Sequence, residues 1–335
     1  MIKPSDHPIT PIGKIGILIV NLGSPDAPTT AAVKRYLLEF LSDPRVVEIP
    51  PILWQPLLRG VILNTRPSQS AAAYREVWSD KGAPLIVITK DQVKALQEHL
   101  SDAVIVDWAM RYGKPSIASR LTALQEQGCD RILIAPLYPQ YSGATTGTVN
   151  DMVFETLGKM RWQPAIRTLP PYYDDPVHIG ALKTSIDAGL AALPFAPDAV
   201  LASFHSMPER TLLQGDPYHC QCQKTARLLG QALDRDLIVS FQSRLGRAKW
   251  LGPATDATLA ELPSKGIKKL AVVTPGFSAD NLETLEEIAI RGRETFLEAG
   301  GTDFAYLPCL NASQAGVEML ITLLSRELEG WQKPR

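Results

Sequence analysis

The sequence contains few cysteines, no long uncharged apolar segment and no excess of either charge. Its four cysteines, at positions 129, 220, 222 and 309, are too few and too scattered for a disulfide framework. Lysine and arginine number 34 and aspartate and glutamate 35, a net charge of −1 that argues against the basic stripe of nucleic-acid-binding proteins. No uncharged apolar run approaches the roughly 18 residues that cross a membrane, and no cationic segment followed by an apolar one opens the chain. We expect a soluble, cytoplasmic protein without a nucleic-acid partner, and a monomer.

Apolar runs alternate with helical patterns along most of the chain. Gly13–Gly23 is almost continuously apolar, as expected for a parallel strand buried on both faces. Seven further strands are predicted: Val104–Ala109, Arg131–Pro136, Ala165–Leu169, Ala199–Phe204, Leu237–Phe241, Lys269–Thr274 and Phe304–Leu307. This alternation predicts βαβ units and a mostly parallel, doubly wound α/β fold.

A weak internal repeat divides the chain. Gly128–Gly147 and Gly266–Thr284 share a glycine, a basic residue, an apolar strand, a proline and a small-residue loop before a helix. We expect two similar α/β halves with a cleft between their strand ends. The predicted first half is residues 1–161 plus a C-terminal helical segment, 314–335, that packs back on it; the second is residues 162–313.

The apolar segment Val46–Leu63 is interrupted by Pro50, Pro51 and Pro56. Because prolines disrupt helices and cannot lie inside a sheet, irregular chain is expected here. Such a segment forms either a lip over the cleft or a membrane-facing patch, or else a buried loop packed on the core.

The stretch Pro275–Glu287, PGFSADNLETLEE, follows a predicted strand and begins a predicted helix. Asp280 is placed to cap this helix, and Asp280, Glu283 and Glu287 fall within about 60° of one another on an α-helical surface. Three aligned carboxylates at a strand end indicate a ligand site. The alternative is a solvated face, on which Glu287 pairs with Arg291 four residues on.

His205 follows the predicted strand Ala199–Phe204, where a histidine facing the cleft is placed for proton transfer or metal binding. The alternative is a locally hydrogen-bonded histidine. His219, Cys220 and Cys222 resemble metal ligands, but residues two apart on a helix face different directions. We expect one buried and one surface thiol there.

Several predicted strand ends carry an aromatic residue and often an arginine. These are Arg66 with Tyr74, Arg111 with Tyr112, Tyr138 with Tyr141, Tyr218, and Trp250 beside Arg244, Arg247 and Lys249. Aromatic rings stack on flat apolar ligands and guanidinium groups bind carboxylates, so the pattern favours a planar ligand that bears carboxylates.

Four motifs, in this order and spacing, resemble those of the ferrochelatase family, which inserts iron in the last step of haem synthesis. They are SFHSMP, GDPYHCQC, FQSRLGR with the W and LGP that follow, and PGFSADNLETLEE. The resemblance runs from about Lys14 to Ala312 and includes NLGSPDAPTTAAVKRYLLEFLSDPRVVEIP at the N-terminal side. It implies two Rossmann-like halves with protoporphyrin IX and Fe²⁺ bound between them.

The resemblance also implies roles for individual residues. His205 and Glu283 correspond to the family's catalytic and metal-contacting pair, and Asp280 and Glu287 to its proton or metal path. The implied porphyrin contacts are Arg66, Tyr74, Arg111, Tyr112, Tyr138, Tyr218 and Trp250. Segment 46–63 corresponds to the family's lip, which suggests a peripheral contact with the inner face of a membrane. Imidazole and carboxylate suit Fe²⁺ transfer because they bind it without trapping it.

Some positions depart from the family pattern. Relatives with a 2Fe–2S cluster bind it through C-terminal cysteines and one cysteine of the YPQYS loop, whereas this chain ends in GWQKPR and has Gly143 in that loop. We therefore expect no tightly bound cofactor and no cluster of that type. Asn281 stands where some members have histidine, and the resemblance leaves open whether His205 and Glu283 act as bases or as ligands.

Two other functions remain open from the sequence. One is a chelatase for another substrate, such as cobalt into a sirohydrochlorin-type ring or iron into coproporphyrin. The other is a non-catalytic haem or porphyrin carrier, which has no use for three aligned carboxylates.

Overall fold

Two four-stranded parallel sheets form the framework in the computed structural model, which describes residues 13–244, 246 and 248–331. The first sheet has the order β2-β1-β3-β4 and the second β6-β5-β7-β8. The strands are β1 (Lys14–Gly23), β2 (Val104–Tyr112), β3 (Cys129–Pro136), β4 (Ala165–Thr168), β5 (Ala199–His205), β6 (Leu237–Gln242), β7 (Lys269–Val273) and β8 (Asp303–Tyr306). Each predicted strand is present, and the prediction of two Rossmann-like halves is confirmed.

Helices connect the strands and cover both faces of each sheet. They are α1 (Thr30–Ser42), α2 (Pro51–Leu57), α3 (Leu63–Val77), α4 (Pro84–His99), α5 (Ile117–Glu126), α6 (Thr148–Lys159), α7 (Pro176–Ala191), α8 (Glu209–Leu213), α9 (Tyr218–Leu233), α10 (Thr255–Glu261), α11 (Arg293–Glu298) and α12 (Gln314–Glu327). Three segments are π-helical: Leu58–Ile62, Gly143–Gly147 and Glu283–Gly292. Within the described residues, no helix combines the length and the apolar character needed to span a bilayer.

The strand order explains the internal repeat. β1 lies between β2 and β3, and β5 lies between β6 and β7, all in parallel register. β3 and β7, the strands of the two repeated segments, therefore occupy equivalent positions. Each is followed by a loop and then by a π-helical segment.

Alternating residues of β1 serve two different cores. Ile15, Ile17 and Ile19 belong to a large cluster that also includes residues of the second sheet and of α4, α7, α9 and α12. Leu18 and Val20 point to the other face, where α5 and α6 pack. This two-sided burial accounts for the continuous apolar run of β1.

The boundary between the two sheets lies later in the chain than the sequence predicts. β4 pairs with β3 and so belongs to the first sheet, although it follows the expected boundary near residue 161. The change of sheet therefore falls between β4 and β5. α12 packs against α4 of the first half and also against α7, which lies between β4 and β5. The division into domains at 161–162 and 313–314 stays a prediction.

Residues 51–63 of the segment 46–63 are helical, so the prediction of irregular chain was wrong for most of it. α2 starts with Pro51 at its first position, where proline is tolerated because an N–H there would have no partner within the helix. Pro56 lies near the end of α2. The π-helical turn Leu58–Ile62 then joins α2 to α3. Ile52 and Leu53 are 83% and 67% exposed, so the segment is not a buried loop.

Candidate active site

The candidate site lies where the strands of both halves end. His205 is the last residue of β5 and pairs in register with Gln242, the last residue of β6. The loop that follows β7 leads to Glu283, and Arg111 and Tyr112 end β2 on the other side. Ligands of open parallel sheets bind at these carboxyl ends.

His205 is half-buried and has a defined tautomer. Its Nδ1 lies 2.6 Å from the carbonyl oxygen of Ser206, which can only accept a hydrogen bond. Nδ1 must therefore be protonated, so the neutral ring has its lone pair on Nε2. Among the described residues, no partner hydrogen-bonds to Nε2, which leaves this atom available to a proton or a metal ion.

Glu283 is the first residue of the π-helix Glu283–Gly292 and is held there by Gln242. The carboxamide of Gln242 donates to the backbone carbonyl of Glu283 at 2.8 Å, while the hydroxyl of Ser203 donates to the Gln242 carboxamide oxygen at 2.8 Å. Thus side chains of β5 and β6 fix the start of the acidic helix beside His205.

The pKa of the Glu283 carboxyl is raised above its ordinary value. Burial is the main cause, and the negative charges of Glu287 and Glu286 raise the pKa further. His205 is close enough for its charge to oppose this increase in part. Glu283 can therefore accept or release a proton nearer to neutral pH than an exposed glutamate can.

Glu287 accepts two hydrogen bonds from Ser243, one from the backbone N–H at 2.8 Å and one from the hydroxyl at 2.5 Å. It lines a cavity of about 610 Å³ together with Ser243, Trp250 and Arg291. The predicted pair of Glu287 with Arg291 is wrong. Arg291 instead donates to Glu286, because a π-helix places residues five apart next to each other.

Asp280 lies in the loop before the helix and its carboxylate accepts from no N–H of the first helical turn, so the prediction that it caps the helix and shares one helical face with Glu283 and Glu287 is wrong. Its buried carboxylate accepts hydrogen bonds from Tyr306 at 2.6 Å and Asn311 at 2.6 Å, and from Thr284 at 3.1 Å and the Cys309 N–H at 3.3 Å.

Asn281 supplies the cap in place of Asp280. Its side chain accepts from the Thr284 N–H at 3.1 Å, and the Thr284 hydroxyl accepts from the Asn281 N–H at 3.0 Å. This reciprocal pair has the form of a capping box.

Arg111 and Tyr112 converge on the buried carboxylate of Asp43. Arg111 donates to it at 2.5 Å, the Tyr112 hydroxyl at 2.8 Å, and the Thr148 hydroxyl also donates. Burial acts to raise the pKa of Asp43, but the hydrogen bonds from Thr148, the Arg45 backbone and Tyr112 outweigh it and hold that pKa below its ordinary value. Both predicted porphyrin contacts are thus fixed within the protein.

Arg66 and Tyr74 lie on α3 at the edge of the cleft. Arg66 is half-buried, and burial lowers its pKa; no carboxylate among the described residues pairs with it. A guanidinium in this state is placed to bind an anionic group of a ligand. Tyr74 packs with Leu282 from the second half, and the charge of Glu283 adds to the burial that raises the pKa of Tyr74.

The remaining predicted contacts surround the same region. The hydroxyl of Tyr138 is buried without a hydrogen-bond partner in the described part of the chain. Tyr218 is buried, and its hydroxyl interacts with Cys222 and with the backbone of His205. Trp250 pairs with Pro208 in an isolated bridge and lines the cavity beside Glu287.

Sequence reasoning missed residues that organise the site. Tyr36 of α1 is buried and interacts electrostatically with Tyr74, Glu283, Tyr138 and Tyr112. Asp43, Gln242 and Ser243 were missed as well. Ser243 and Gln242 lie in the FQSRLGR motif, and Tyr36 and Asp43 lie in the N-terminal block that also resembles the family, so the motifs were a usable signal for all four.

The other polar clusters have structural partners. Cys222 is buried and Cys220 is exposed, as predicted. No group of three or more histidine, cysteine, aspartate or glutamate side chains arranged for a metal ion was found among residues 13–244, 246 and 248–331. Arg244 pairs with Asp256 and Lys249 with Glu209, while Arg247 lies outside the described residues.

Comparisons with known proteins identify related sequences and folds. The family model described as Ferrochelatase matches residues 14–328. The chain is 53% identical over 335 residues to a ferrochelatase of Rhizobium meliloti (strain 1021), with 98% of each protein covered. It is 51% identical over 335 residues to a ferrochelatase of Allorhizobium ampelinum, with 98% of this chain and 97% of the relative covered. Among solved structures, SirB from Bacillus subtilis with Fe³⁺ matches 93% of this chain and 95% of its own with a TM-score of 0.57, a likeness of fold alone at 14% identity.

Proposed function

The chain belongs to the ferrochelatase family, whose members insert iron into a porphyrin to make haem, and we propose that His205 and Glu283 carry out this insertion with Fe²⁺ and protoporphyrin IX. The observation that supports these roles is the pairing of two groups from different elements. The free Nε2 of His205 lies at the end of β5, and the carboxyl of Glu283, whose pKa is raised, lies at the start of the helix that follows the neighbouring strand β7.

The reaction requires two protons to leave the pyrrole nitrogens as two metal–nitrogen bonds form. The Nε2 lone pair of His205 accepts one proton or contacts the incoming Fe²⁺, and the Glu283 carboxylate is its counterpart. Because the pKa of Glu283 is raised, its carboxylate accepts a proton more readily near neutral pH than an exposed glutamate does. Neither group binds Fe²⁺ as firmly as a thiolate binds soft metals, so the metal can pass to the ring.

Protons or metal ions pass between this pair and the solvent through Glu287. Its carboxylate lines the cavity of about 610 Å³ and interacts with the charge of Glu283. Asp280 completes the acidic set from the loop before the helix. Its four hydrogen bonds hold the loop in place, so Asp280 contributes by fixing where the acidic helix begins.

The porphyrin lies between the two halves. Arg66 binds a propionate of the ring, since its half-buried guanidinium has no carboxylate partner among the described residues. The aromatic side chains of Tyr74, Tyr138, Tyr218 and Trp250 surround the macrocycle, and the Asp43 network holds Arg111 and Tyr112 at its edge.

No 2Fe–2S cluster is part of this function. The side chains present do not suit one: the four cysteines are free thiols, and among the described residues no three or more histidine, cysteine, aspartate or glutamate side chains are grouped to hold a metal ion. At Gly143, the backbone N–H donates instead to Asp216. A tightly bound cofactor is not required for the insertion of Fe²⁺, which is a substrate.

The exposed apolar residues of segment 46–63 make a peripheral contact with a membrane, from which the porphyrin enters. Ile52 and Leu53 project from α2, and Leu213 of α8, which is 80% exposed, adds an apolar residue from the second half. An ion pair of 3.2 Å between Arg210 and Glu48 connects α8 to this lip.

The test is anaerobic mixing of the protein with protoporphyrin IX and Fe²⁺ while the free-base spectrum is followed. More than one ring metallated per chain is expected; a stoichiometric change would indicate a carrier. Parallel reactions with coproporphyrin, and with cobalt and a sirohydrochlorin-type ring, rank the substrates. A higher kcat/KM with either alternative would overturn the proposed substrate.

A further inference from the structure

A single carboxylate, that of Asp216, connects two helix starts in different halves of the protein. Its Oδ1 accepts from the Tyr218 N–H at 2.9 Å, at the start of α9. Its Oδ2 accepts from the Gly143 N–H at 2.8 Å and from the Ser142 hydroxyl at 3.2 Å, at the start of the π-helical turn that leads into α6. The first N–H groups of a helix have no partner within the helix and a partial positive charge, so both starts favour a negative group.

The contact continues along α9 away from Asp216. The Tyr141 N–H donates to the side-chain oxygen of Gln221 at 2.7 Å, and the Gln140 carboxamide donates to the Thr225 hydroxyl at 2.9 Å. Residues 218, 221 and 225 lie on one face of the helix at intervals of three and four. The loop 138–143 of the first half therefore follows one face of a helix of the second half.

Both sides of this contact lead directly to the candidate site. Tyr138, whose buried hydroxyl faces no partner among the described residues, begins the loop on the first half. Tyr218, whose hydroxyl interacts with the backbone of His205, follows Asp216 by two residues on the second half. A displacement at Asp216 would thus change the position of the ring contact relative to His205.

We infer that Asp216 is a positioning residue, which fixes the separation between the porphyrin wall of the first half and His205 of the second. The inference rests on the proposed function. The Glu48–Arg210 ion pair also joins the two halves, but it is exposed, whereas the Asp216 contacts are partly buried and include two backbone N–H groups.

The substitution Asp216→Asn tests whether this side chain must accept hydrogen bonds from both helix starts. An asparagine retains one carbonyl oxygen, which can accept from one helix start, while its amide nitrogen cannot accept from the other. We expect kcat for Fe²⁺ insertion to fall at least about tenfold, since a displacement near 1 Å between reacting groups lowers rates by up to about two orders of magnitude. The measurements are kcat, KM for porphyrin and the melting temperature, with kinetics well below melting.

Asp175→Asn is the matched control. Asp175 also accepts through Oδ1 from a helix start, the Val177 N–H at 2.9 Å, and its Oδ2 accepts from Arg326 at 2.5 Å, away from the cleft. Both variants lose a comparable set of hydrogen bonds and should lower the melting temperature. Asp175→Asn should keep kcat and KM within twofold of the unsubstituted protein. The inference is overturned if Asp216→Asn also keeps kcat and KM within twofold of the unsubstituted protein.

Ser142→Ala keeps the test decisive if Asp216→Asn does not fold. It removes one hydrogen bond to Oδ2, and we expect kcat to fall about threefold. An unchanged kcat in this variant would overturn the inference. Failure of the proposed function is distinguished by the unsubstituted protein, which would then show no turnover at all.

Discussion

Arg291 donates two hydrogen bonds to the carboxylate of Glu286, five residues earlier in the chain, at 2.6 and 3.0 Å. The spacing follows from the π-helical backbone of Glu283–Gly292. The pair neutralises Glu286 and leaves Glu287 to accept from Ser243. Glu287, whose charge acts on the pKa of Glu283, therefore makes its hydrogen bonds with Ser243 and not with an arginine, which suits a group that passes protons or metal ions.

His205→Ala should abolish metal insertion while porphyrin binding persists. Loss of the free Nε2 removes the proton acceptor or the metal contact, and such groups contribute factors of about 10² to 10⁴. The measurements are anaerobic insertion rates and porphyrin binding by absorbance. His99→Ala, at an exposed position on α4, is the control. Full activity in His205→Ala would refute the role proposed for this residue.

Glu283→Gln should lower activity steeply but stabilise the fold at neutral pH. A carboxyl whose pKa is raised binds more protons in the folded than in the unfolded state, so its contribution lowers stability as pH rises above the ordinary value of 4.5. Glutamine removes this penalty. Denaturant unfolding at pH 5 and pH 7 should show a larger gain at pH 7.

Glu318→Gln, at an exposed position of α12, should leave both activity and unfolding unchanged and serves as the control for Glu283→Gln. An equal effect of the Glu283 substitution at the two pH values would contradict the raised pKa.

Burial of His178 should make the fold sensitive to acid. Burial lowers the pKa of this side chain from 6.5 to about 4, and its Nδ1 has no hydrogen-bond partner in the described part of the protein. Between these values the unfolded chain binds the proton and the folded protein does not, so stability falls as pH falls from 6.5 towards 4. His178→Gln should flatten this slope in pH-dependent unfolding, whatever its effect at pH 7. The slope should persist in His99→Gln, and an unaltered slope in His178→Gln would refute the prediction.

Arg66→Ala should raise KM for the porphyrin about tenfold or more with a smaller effect on kcat. A charge-assisted hydrogen bond to a propionate is worth about 1.5–3 kcal/mol. The esterified ring has no carboxylate, so the substitution should not affect its binding. Arg75→Ala, at an exposed position of α3 outside the lip, is the control. A similar increase with acid and ester would exclude the proposed contact.

Ile52→Asp combined with Leu53→Asp should abolish binding to anionic phospholipid vesicles in a sedimentation assay. The two side chains are the most exposed apolar residues of α2, and burying them in lipid supplies the attraction. Phe154→Asp changes an exposed apolar residue of α6, outside the lip, and should retain binding. The proposed membrane contact is refuted if the unsubstituted protein does not sediment with vesicles. It is also refuted if the double variant of Ile52 and Leu53 sediments as the Phe154→Asp control does.

Much of the framework could be predicted from residues close together in the chain. The unbroken apolar run of β1 and the alternation of strand and helix require only local periodicity, and the same holds for the position of His205 at the end of β5. The four motifs identified the family for the same reason, since each is a contiguous stretch. The separation of Cys220 from Cys222 followed from helical geometry.

The backbone of the acidic helix could not be predicted in this way. The spacing of Asp280, Glu283 and Glu287 assumed α-helical turns that begin at Asp280, whereas the chain starts the helix after Asn281 and winds it as a π-helix. Hydrogen bonds i to i+5 do not leave a distinct apolar period in so short a segment. The prediction of irregular chain in segment 46–63 failed for a related reason. Proline disrupts the interior of an α-helix but is tolerated at the first helical position, and a π-helical turn joins the two helices of this segment.

The sequence alone determined that this is a two-part α/β chelatase with a histidine at a strand end and a glutamate on the helix that follows another strand. The tertiary structure decided which neighbours act on them: Gln242 on the start of the acidic helix, Asp43 on Arg111 and Tyr112, and Asp216 between the halves. These contacts join residues up to 74 positions apart, and the geometry of those made by Asp216 depends on how the two halves pack together. Local patterns specify each element, but the long-range hydrogen bonds exist only after the elements have packed.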